Sequence, residues 1–154
     1  MALPLPHTQV AIRAATPEDL PQVLEIESLA FEKHWGPFEF KASLEDIFLV
    51  AEDPARGHLL GFIVACCCRL SRRGVILRLA VHPDSRRQGV ARSLLEAAFE
   101  ELRRQGLSEV VLDVDVVKGG ARKLYEEMGF QVAEVISLCQ EDEEESFYVM
   151  RRPL

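Results

Sequence analysis

The sequence lacks the features that mark several large classes of protein. No apolar run is long enough to cross a bilayer, and the first seven residues contain neither a basic region nor a sustained apolar region of the kind that begins a signal peptide. Internal repeats and low-complexity linkers are also absent. We therefore expect a cytoplasmic chain with no membrane partner, in which residues 1–9 form a flexible tail and residues 10–154 form a single domain.

Cysteine is scarce and its spacing excludes two common uses. The chain has four cysteines, of which Cys66, Cys67 and Cys68 are consecutive within an apolar segment and Cys139 stands alone. This spacing fits neither a disulfide framework nor a set of metal ligands, so we expect reduced core residues and no metal site. Because adjacent residues of a strand face opposite sides, Cys67 stays open as a residue that lines a site.

Two nucleotide-binding signatures are also missing. The chain has neither the Gly-x-Gly-x-x-Gly of a dinucleotide fold nor the Gly-Lys-Ser/Thr of a Walker loop. Its net charge of −7 disfavours a general nucleic-acid partner. The charge is unevenly distributed, however, because seven arginines lie within residues 69–92 and residues 141–145 are all acidic. This asymmetry predicts one anionic and one cationic ligand, although a solvated hairpin turn explains the acidic run equally well.

The most informative stretch of the sequence spans residues 75–102. An aliphatic run over residues 75–81, broken only by Arg78, predicts a buried strand that ends at the turn signal His82-Pro83. Apolar residues then recur at helical spacing, which predicts an amphipathic helix over residues 90–102. The strand therefore leads the chain to the N-terminus of a helix.

The basic segment at residues 86–92 lies at this predicted helix N-terminus. There the first backbone N–H groups lack intrahelical partners and the helix dipole adds positive charge, which together favour phosphate binding. Gly89 lets an anion approach the backbone without a Cβ in the way, and small Ala91 keeps the same face open. A pyrophosphate is the ligand that this stretch suits best; an ordinary basic helix start is the alternative.

The remaining segments complete a mixed arrangement of helices and strands. Hydrophobic periodicity and turn residues predict strands over residues 10–13, 47–52, 59–70, 110–114, 130–138 and 146–150, and helices over residues 16–31, 38–46 and 118–128. The order is βααβββαβαββ. It predicts an α/β fold (α+β by some definitions) in which hairpins supply antiparallel strand pairs, a helical crossover supplies a parallel pair, and helices flank a central mixed sheet.

Three landmarks in this order resemble the GNAT superfamily of acyl-CoA-dependent N-acyltransferases. The family's phosphate loop is matched by Arg86, Gly89 and Ala91, and the strand end at residues 79–83 and the helix at residues 121–130 are similar to its other two landmarks. Residues 75–130 are similar in spacing to bacterial ribosomal-protein alanine N-acetyltransferases. The resemblance implies a GNAT-like fold and acetyl transfer from acetyl-CoA to a primary amine by direct attack in a ternary complex.

The resemblance also implies which residues hold the co-substrate acetyl-CoA. Backbone groups of Leu79, Ala80 and Val81 are implied to hold the acetyl carbonyl and the pantetheine arm. The residues implied to form the pyrophosphate cradle are Arg86, Arg87, Gln88, Gly89, Val90, Ala91 and Arg92.

Three further positions are implied to serve the chemistry. Tyr125 occupies the place of the family's general acid, which protonates the leaving thiolate. Asp113 stands where the alanine N-acetyltransferases carry a glutamate base; because it is one methylene shorter, a water relay is the more reasonable route. Lys118 replaces an asparagine that contacts the cofactor in many relatives. Structural roles remain open for Tyr125, in helix packing, and for Asp113, in a bond to a nearby arginine.

The acceptor is less well specified. Glu27, His34 and Trp35 lie in the region that forms the acceptor wall in the family, and the acidic residues at 141–145 favour a cationic amine: a small amine, a lysine or a protein N-terminus. A non-catalytic acyl-CoA-binding sensor is the alternative function, since Asp113 and Lys118 both depart from the family pattern. A homodimer is compatible with the sequence because residues 146–150 could pair at a sheet edge.

Overall fold

The computed structural model describes residues 10–154, so the tail expected over residues 1–9 lies outside the described residues. In this part of the chain the elements follow the predicted order, with a short 3₁₀ turn before α1 and another before α3. The strands are β1 Ala11–Ala14, β2 Ile47–Asp53, β3 His58–Cys68, β4 Arg73–Val81, β5 Glu109–Asp115, β6 Gln131–Gln140 and β7 Glu143–Pro153. The helices are α1 Leu20–Ala30, α2 Pro37–Ser43, α3 Val90–Arg104 and α4 Gly119–Glu127.

The described residues divide into two compact units, one with residues 10–66 and 77–101 and the other with residues 67–76 and 102–154. The first unit contains the strand order β1-β2-β3-β4, and the second contains β4-β5-β7-β6. Strands β4 and β5 pair in parallel, whereas β1 with β2, β2 with β3, β5 with β7 and β6 with β7 pair antiparallel. The predicted mixed sheet is therefore confirmed.

An aromatic cluster forms the centre of the first unit. Phe40 of α2 is fully buried, and its ring lies 5.3 Å from that of Phe62 in an edge-to-face arrangement and 5.9 Å from that of Phe48. Such edge contacts between aromatic rings add to the stabilisation gained by burying their apolar surface. Val23 and Ile26 of α1 belong to the same buried cluster. The packing fixes α1 and α2 against strands β2 and β3.

Helix α3 has the amphipathic pattern that the sequence predicts. The residues at helical spacing are all buried: Val90, Leu94, Leu95, Ala98, Phe99 and Leu102. Three charged residues of the opposite face, Arg92, Glu96 and Glu100, are exposed. The helix stops at Arg104, and Gly106 follows with φ +79°, the left-handed conformation that glycine adopts at a helix C-terminus. Among the helices of residues 10–154, none combines the length and the apolar character needed to cross a membrane.

In the second unit, buried and more exposed residues alternate along strand β5. Val110, Leu112 and Val114 are buried, whereas Asp113 between them points away from that face and is exposed. Met150 of β7 pairs with Leu112, and Met128 and Phe130 after α4 are also buried. The sequence position of Asp113 therefore places its carboxylate outside the apolar layer.

The hairpin of β6 and β7 differs from the prediction. Its turn consists only of Glu141 and Asp142, both with positive φ (+48° and +68°), and Gln140 pairs with Glu143. Two positive φ values in a two-residue loop fit the twist of a tight hairpin, so the strands continue up to the turn. The acidic residues at 143–145 consequently lie in β7 and not in a loop. Strand β7 also lies between β5 and β6, which makes residues 146–150 an interior segment and corrects the sheet edge expected there.

All four cysteines lie in the described residues and are reduced thiols, as expected, but the prediction that they belong to the core is wrong. Cys66 and Cys67 are partly buried, and Cys68 and Cys139 are exposed. The first three lie at the end of β3, beyond the run of buried residues at 59–65. The segment is apolar up to Cys68, but the buried part of the strand ends at residue 65.

Candidate active site

The end of strand β4 delivers the chain to the basic loop. The ladder between β4 and β5 covers Arg73–Val75 in the described structure, so Leu79, Ala80 and Val81 lie beyond it. His82 closes the strand: its backbone N–H donates to the Leu60 carbonyl at 2.7 Å, and its Nδ1 accepts the N–H of Asp84 at 3.1 Å. The backbone that the resemblance assigns to the acetyl group therefore stands at a defined strand end.

The loop between this strand end and α3 is open to solvent. Arg86, Arg87, Gln88 and Gly89 are exposed, whereas Val90 is buried and anchors the first turn of α3. Arg87 and Gly89 both have positive φ (+62° and +78°). A Cβ at Gly89 would meet no atom within 4 Å, so the space above this glycine is empty.

This loop geometry suits an anion. Successive N–H groups in such turns and at the start of a helix converge on one side, where they attract a negatively charged oxygen. The Gly89 carbonyl accepts the N–H of Ser93 at 3.0 Å, which extends the helical hydrogen bonding back to the loop. Small Ala91 is partly buried and Arg92 is exposed one residue later. The residues predicted to bind a pyrophosphate are thus adjacent, and all of them except the buried Val90 and the partly buried Ala91 are exposed.

The three acceptor candidates lie together in the first unit, but in different environments. Glu27 is fully buried, Trp35 is partly buried, and His34 is exposed. The Glu27 carboxylate accepts the backbone N–H of Trp35 at 2.8 Å. The Trp35 ring lies 5.3 Å from that of Phe40 and so caps the aromatic cluster.

Arg78 is a residue whose role the sequence did not reveal. Its guanidinium donates to both carboxylate oxygens of Glu27, with a shortest distance of 2.6 Å, and to the Lys33 carbonyl at 2.9 Å. In the sequence it is visible only as the single charge within an otherwise apolar strand. That interruption is the available signal, since a lone charge in an apolar run requires a partner wherever it becomes buried.

Tyr125 and Asp113 lie in the second unit, on α4 and β5 respectively. Tyr125 is partly buried, and its ring lies 5.8 Å from that of Phe130. Burial, together with the negative charge of Asp113, raises the pKa of Tyr125 to about 12, because both disfavour the phenolate. Tyr125 therefore keeps its proton at neutral pH.

Lys118 marks the start of α4. Its backbone N–H donates to the Asp115 carbonyl at 2.9 Å, and its carbonyl accepts the N–H of Arg122 at 3.2 Å, so its backbone is integrated into the first turn. The Lys118 side chain is exposed. On the same unit, Asp115, Glu144 and Glu145 line an open depression, which gives this surface a negative character.

Comparison with known proteins identifies a family. The model of the acetyltransferase (GNAT) family matches residues 17–130. The ribosomal protein bS18 alanine N-acetyltransferase of Escherichia coli (strain K12) is 29% identical over 117 residues, which cover 76% of this chain and 78% of that protein. An N-alpha-acetyltransferase of Saccharolobus solfataricus is 27% identical over 155 residues, covering 93% of this chain and 92% of that protein.

A solved structure supports the same assignment at the level of the fold. The crystal structure of the ribosomal-protein-S18-alanine N-acetyltransferase from Escherichia coli matches with a TM-score of 0.82 and 26% identity over 94% of each chain. The element order predicted from the sequence and observed here is thus that of GNAT structures.

Proposed function

The chain belongs to the acetyltransferase (GNAT) family, and we propose that it acetylates the α-amino group of a protein N-terminus by direct attack on acetyl-CoA. As an acetyl-CoA-dependent N-acetyltransferase it shares its reaction type with the relatives described above. In this proposal residues 10–154 act as one catalytic domain. The identity of the acceptor, the order of the bond changes and the residues responsible for each step are parts of the proposal.

The observation that carries the proposal is the exposed loop at residues 86–89 between strand β4 and helix α3. Its two positive φ values and the empty space above Gly89 leave backbone N–H groups accessible to the pyrophosphate of acetyl-CoA. Arg86, Arg87 and Arg92 add positive charge near the same backbone. Backbone N–H groups of residues 79–81 would then hold the acetyl carbonyl and stabilise its developing negative charge.

Two side chains of the second unit are assigned to the acetyl-transfer step, one as the proton acceptor and the other as a hydrogen-bond donor to the leaving sulfur. The neutral amine nitrogen forms a bond to the acetyl carbon, the carbon–sulfur bond breaks with its electron pair going to the sulfur, which leaves as a thiolate, and the nitrogen loses one proton. Asp113 accepts that proton through a water molecule, since its carboxylate is short and exposed. Tyr125 donates a hydrogen bond to the leaving sulfur, a role that needs a protonated phenol. The exposed ammonium of Lys118 contributes to holding the co-substrate.

A proton acceptor that acts only through a water molecule favours an α-amine over a lysine as the acceptor substrate. An α-amino group has a pKa of about 7.7–8.0 and a lysine amine one of about 10.4, so at neutral pH the neutral fraction of the α-amine is greater by roughly two orders of magnitude. An exposed aspartate acting through water can supply the remaining deprotonation more readily for the first group than for the second. The acidic surface at Asp115, Glu144 and Glu145 attracts basic residues further along the acceptor chain.

Glu27, His34 and Trp35 are assigned to the acceptor side of this reaction. His34 is exposed and available for direct contact, and Trp35 presents a partly buried ring. Glu27 acts on the acceptor indirectly, because its carboxylate is buried and already accepts hydrogen bonds from Arg78 and from the Trp35 backbone.

The test is thiol release from acetyl-CoA with matched acceptors. A peptide with a free N-terminal alanine and a blocked lysine is compared with the same peptide carrying a blocked N-terminus and a free lysine, with polyamines and aminoglycosides as further acceptors. We expect turnover with the free α-amine that falls in Tyr125→Phe. Turnover confined to lysine or to polyamines would contradict the acceptor assignment. Calorimetric binding of acetyl-CoA without turnover on any acceptor would favour the sensor function, and absence of binding would contradict the loop assignment.

A further inference from the structure

Glu27 and Arg78 form an ion pair inside the first unit. Because burying two charges costs desolvation free energy, such a pair calls for a role other than stability. The Glu27 side chain is fully buried and that of Arg78 is 18% exposed, and their closest atoms are 2.6 Å apart. Removing two charges from water costs several kcal/mol per ion, and replacing such a pair by apolar residues of similar volume is often neutral or stabilising. Stability alone therefore gives no reason to keep this pair, so its contacts must be examined for another role.

Those contacts converge on the segment at residues 31–36, between the end of α1 and the start of α2. The guanidinium of Arg78 lies 3.8 Å from the centre of the Phe31 ring and 5.5 Å from that of Trp35, distances at which a cation is attracted to an aromatic face. It also donates to the Lys33 carbonyl, while Glu27 accepts the Trp35 N–H. The pair thus contacts the segment at residues 31, 33 and 35.

Arg78 also connects this segment to the strand end described above. It lies in β4 immediately before Leu79, and β4 is held by β3 so closely that a Cβ at Gly61 would lie 2.7 Å from the Ala80 carbonyl. Arg78 therefore lies in a strand that packs closely against β3. A planar guanidinium that binds a carboxylate with two nitrogens also fixes the orientation of its partner, which a lysine ammonium cannot do.

We propose that Arg78 and Glu27 are positioning residues that hold residues 31–36 in place and thereby set the affinity for the acceptor. This inference rests on the proposed function, in which His34 and Trp35 of the segment face the acceptor. Neither member of the pair touches the reacting atoms. Loss of the pair should weaken acceptor binding while leaving acetyl-CoA binding and the chemical step intact.

The experiment compares three variants. The double variant Glu27→Gln/Arg78→Met removes both charges at similar volume and avoids leaving one buried charge without its partner. Arg78→Lys keeps the charge but loses the two-nitrogen geometry. Arg13→Met is the matched control, because Arg13 binds Asp19 and Glu52 in the same unit through a comparable set of hydrogen bonds.

Steady-state kinetics with the peptide acceptor give the first readout. For the double variant we expect the acceptor KM to rise about tenfold, with kcat and the acetyl-CoA KM within about twofold of the wild type, the pattern of lost binding that is uniform between ground state and transition state. Arg78→Lys should lie between wild type and double variant. Arg13→Met should lower the thermal midpoint without changing the acceptor KM. A cooperatively folding double variant with an unchanged acceptor KM would overturn the proposal.

Fluorescence gives a second readout that does not depend on activity. Trp35 is the only tryptophan of the chain, so its quenching by acrylamide reports on the segment directly. We expect the quenching constant to rise at least about twofold in the double variant, less in Arg78→Lys, and not at all in Arg13→Met. If the wild type were inactive on every acceptor, the proposed function would fail, and unchanged quenching would still overturn the positioning role. If the double variant fails to fold, Arg78→Lys decides by the same two readouts.

Discussion

Replacing Tyr125 by phenylalanine tests how the leaving group is stabilised. The substitution removes one hydroxyl and keeps the aromatic ring that lies against Phe130. In the wild type, burial and the charge of Asp113 raise the pKa of Tyr125 to about 12, whereas a thiol such as the leaving group has a pKa near 8.5. The phenol is therefore a much weaker acid than the thiol that it is assigned to assist.

This mismatch limits what the hydroxyl can contribute. At about 1.4 kcal/mol per pKa unit, complete proton transfer from Tyr125 to the thiolate would be uphill by roughly 5 kcal/mol. A hydrogen bond to a group that develops negative charge stabilises it by about 1.5–3 kcal/mol. We therefore expect Tyr125→Phe to lower kcat by about 10- to 150-fold and not by the larger factors expected of complete proton donation.

The assay is thiol release at saturating acetyl-CoA and acceptor, measured from pH 7 to about pH 10.5. Because Tyr125 keeps its proton throughout this range, the two enzymes should show parallel pH profiles. Calorimetry should give the same affinity for acetyl-CoA within about twofold, which separates lost catalysis from lost binding. A loss in kcat below about threefold would refute the role of the hydroxyl. An alkaline limb near pH 10 in the wild type that disappears in the variant would refute its raised pKa.

Four further predictions concern Tyr125 and two glycines. Asp113→Asn should lower the pKa of Tyr125 towards its ordinary value, because a nearby negative charge is removed. The measurement is an ultraviolet absorbance titration in a Tyr148→Phe background, in which Tyr125 is the one remaining tyrosine. The raised pKa of Tyr125 contributes stability that is fully present below pH 10 and is lost as the pH rises towards 12. Over this range the free energy of unfolding measured with urea should therefore fall faster for the wild type than for Tyr125→Phe, by up to about 1.4 kcal/mol per pH unit. Gly61→Ala should lower the free energy of unfolding by about 1–3 kcal/mol, since the new Cβ meets the Ala80 carbonyl, whereas Gly119→Ala, with open space around it, should be close to neutral. Gly89→Ala should raise the acetyl-CoA KM about fivefold through strain at φ +78°, with little change in the acceptor KM; equal KM values for the two enzymes would contradict the role of the loop.

The fold was predictable where the signal is local. The stripe of α3 repeats within single turns of a helix, and every residue of it is buried as its spacing requires. Gly106 and Gly129 likewise end α3 and α4 where positive φ is needed. The β6–β7 turn was not predictable in the same way, because Glu141 and Asp142 adopt positive φ without the glycine or asparagine that normally signals such a turn.

In the candidate site, too, the parts that depend on local sequence were predictable and the long-range contact was not. Residues 79–92 form one continuous stretch, so a motif places its strand end, loop and helix start without any knowledge of tertiary structure. Glu27 and Arg78 are separated by 51 positions, and nothing in either neighbourhood indicates that they meet. Sequence reasoning consequently assigned Glu27 to the acceptor region, which stays a prediction, and it could not show that the carboxylate is buried and held by an arginine.

The residues assigned to acetyl-CoA and those assigned to the acceptor lie in different segments of the chain, so the choice of acceptor can change separately. The pyrophosphate loop uses backbone groups and exposed arginines at residues 86–92, whereas the hydrogen bonds described for Glu27 and Arg78 join these two residues to each other and to residues 33 and 35. Substitutions in the buried pair can therefore move residues 31–36, and with them His34 and Trp35, while the co-substrate is bound as before. A change of acceptor then needs only a few substitutions at positions that no co-substrate motif includes. Relatives with the same loop and a different residue at position 78 should accordingly differ in the acceptor they prefer before they differ in acetyl-CoA affinity.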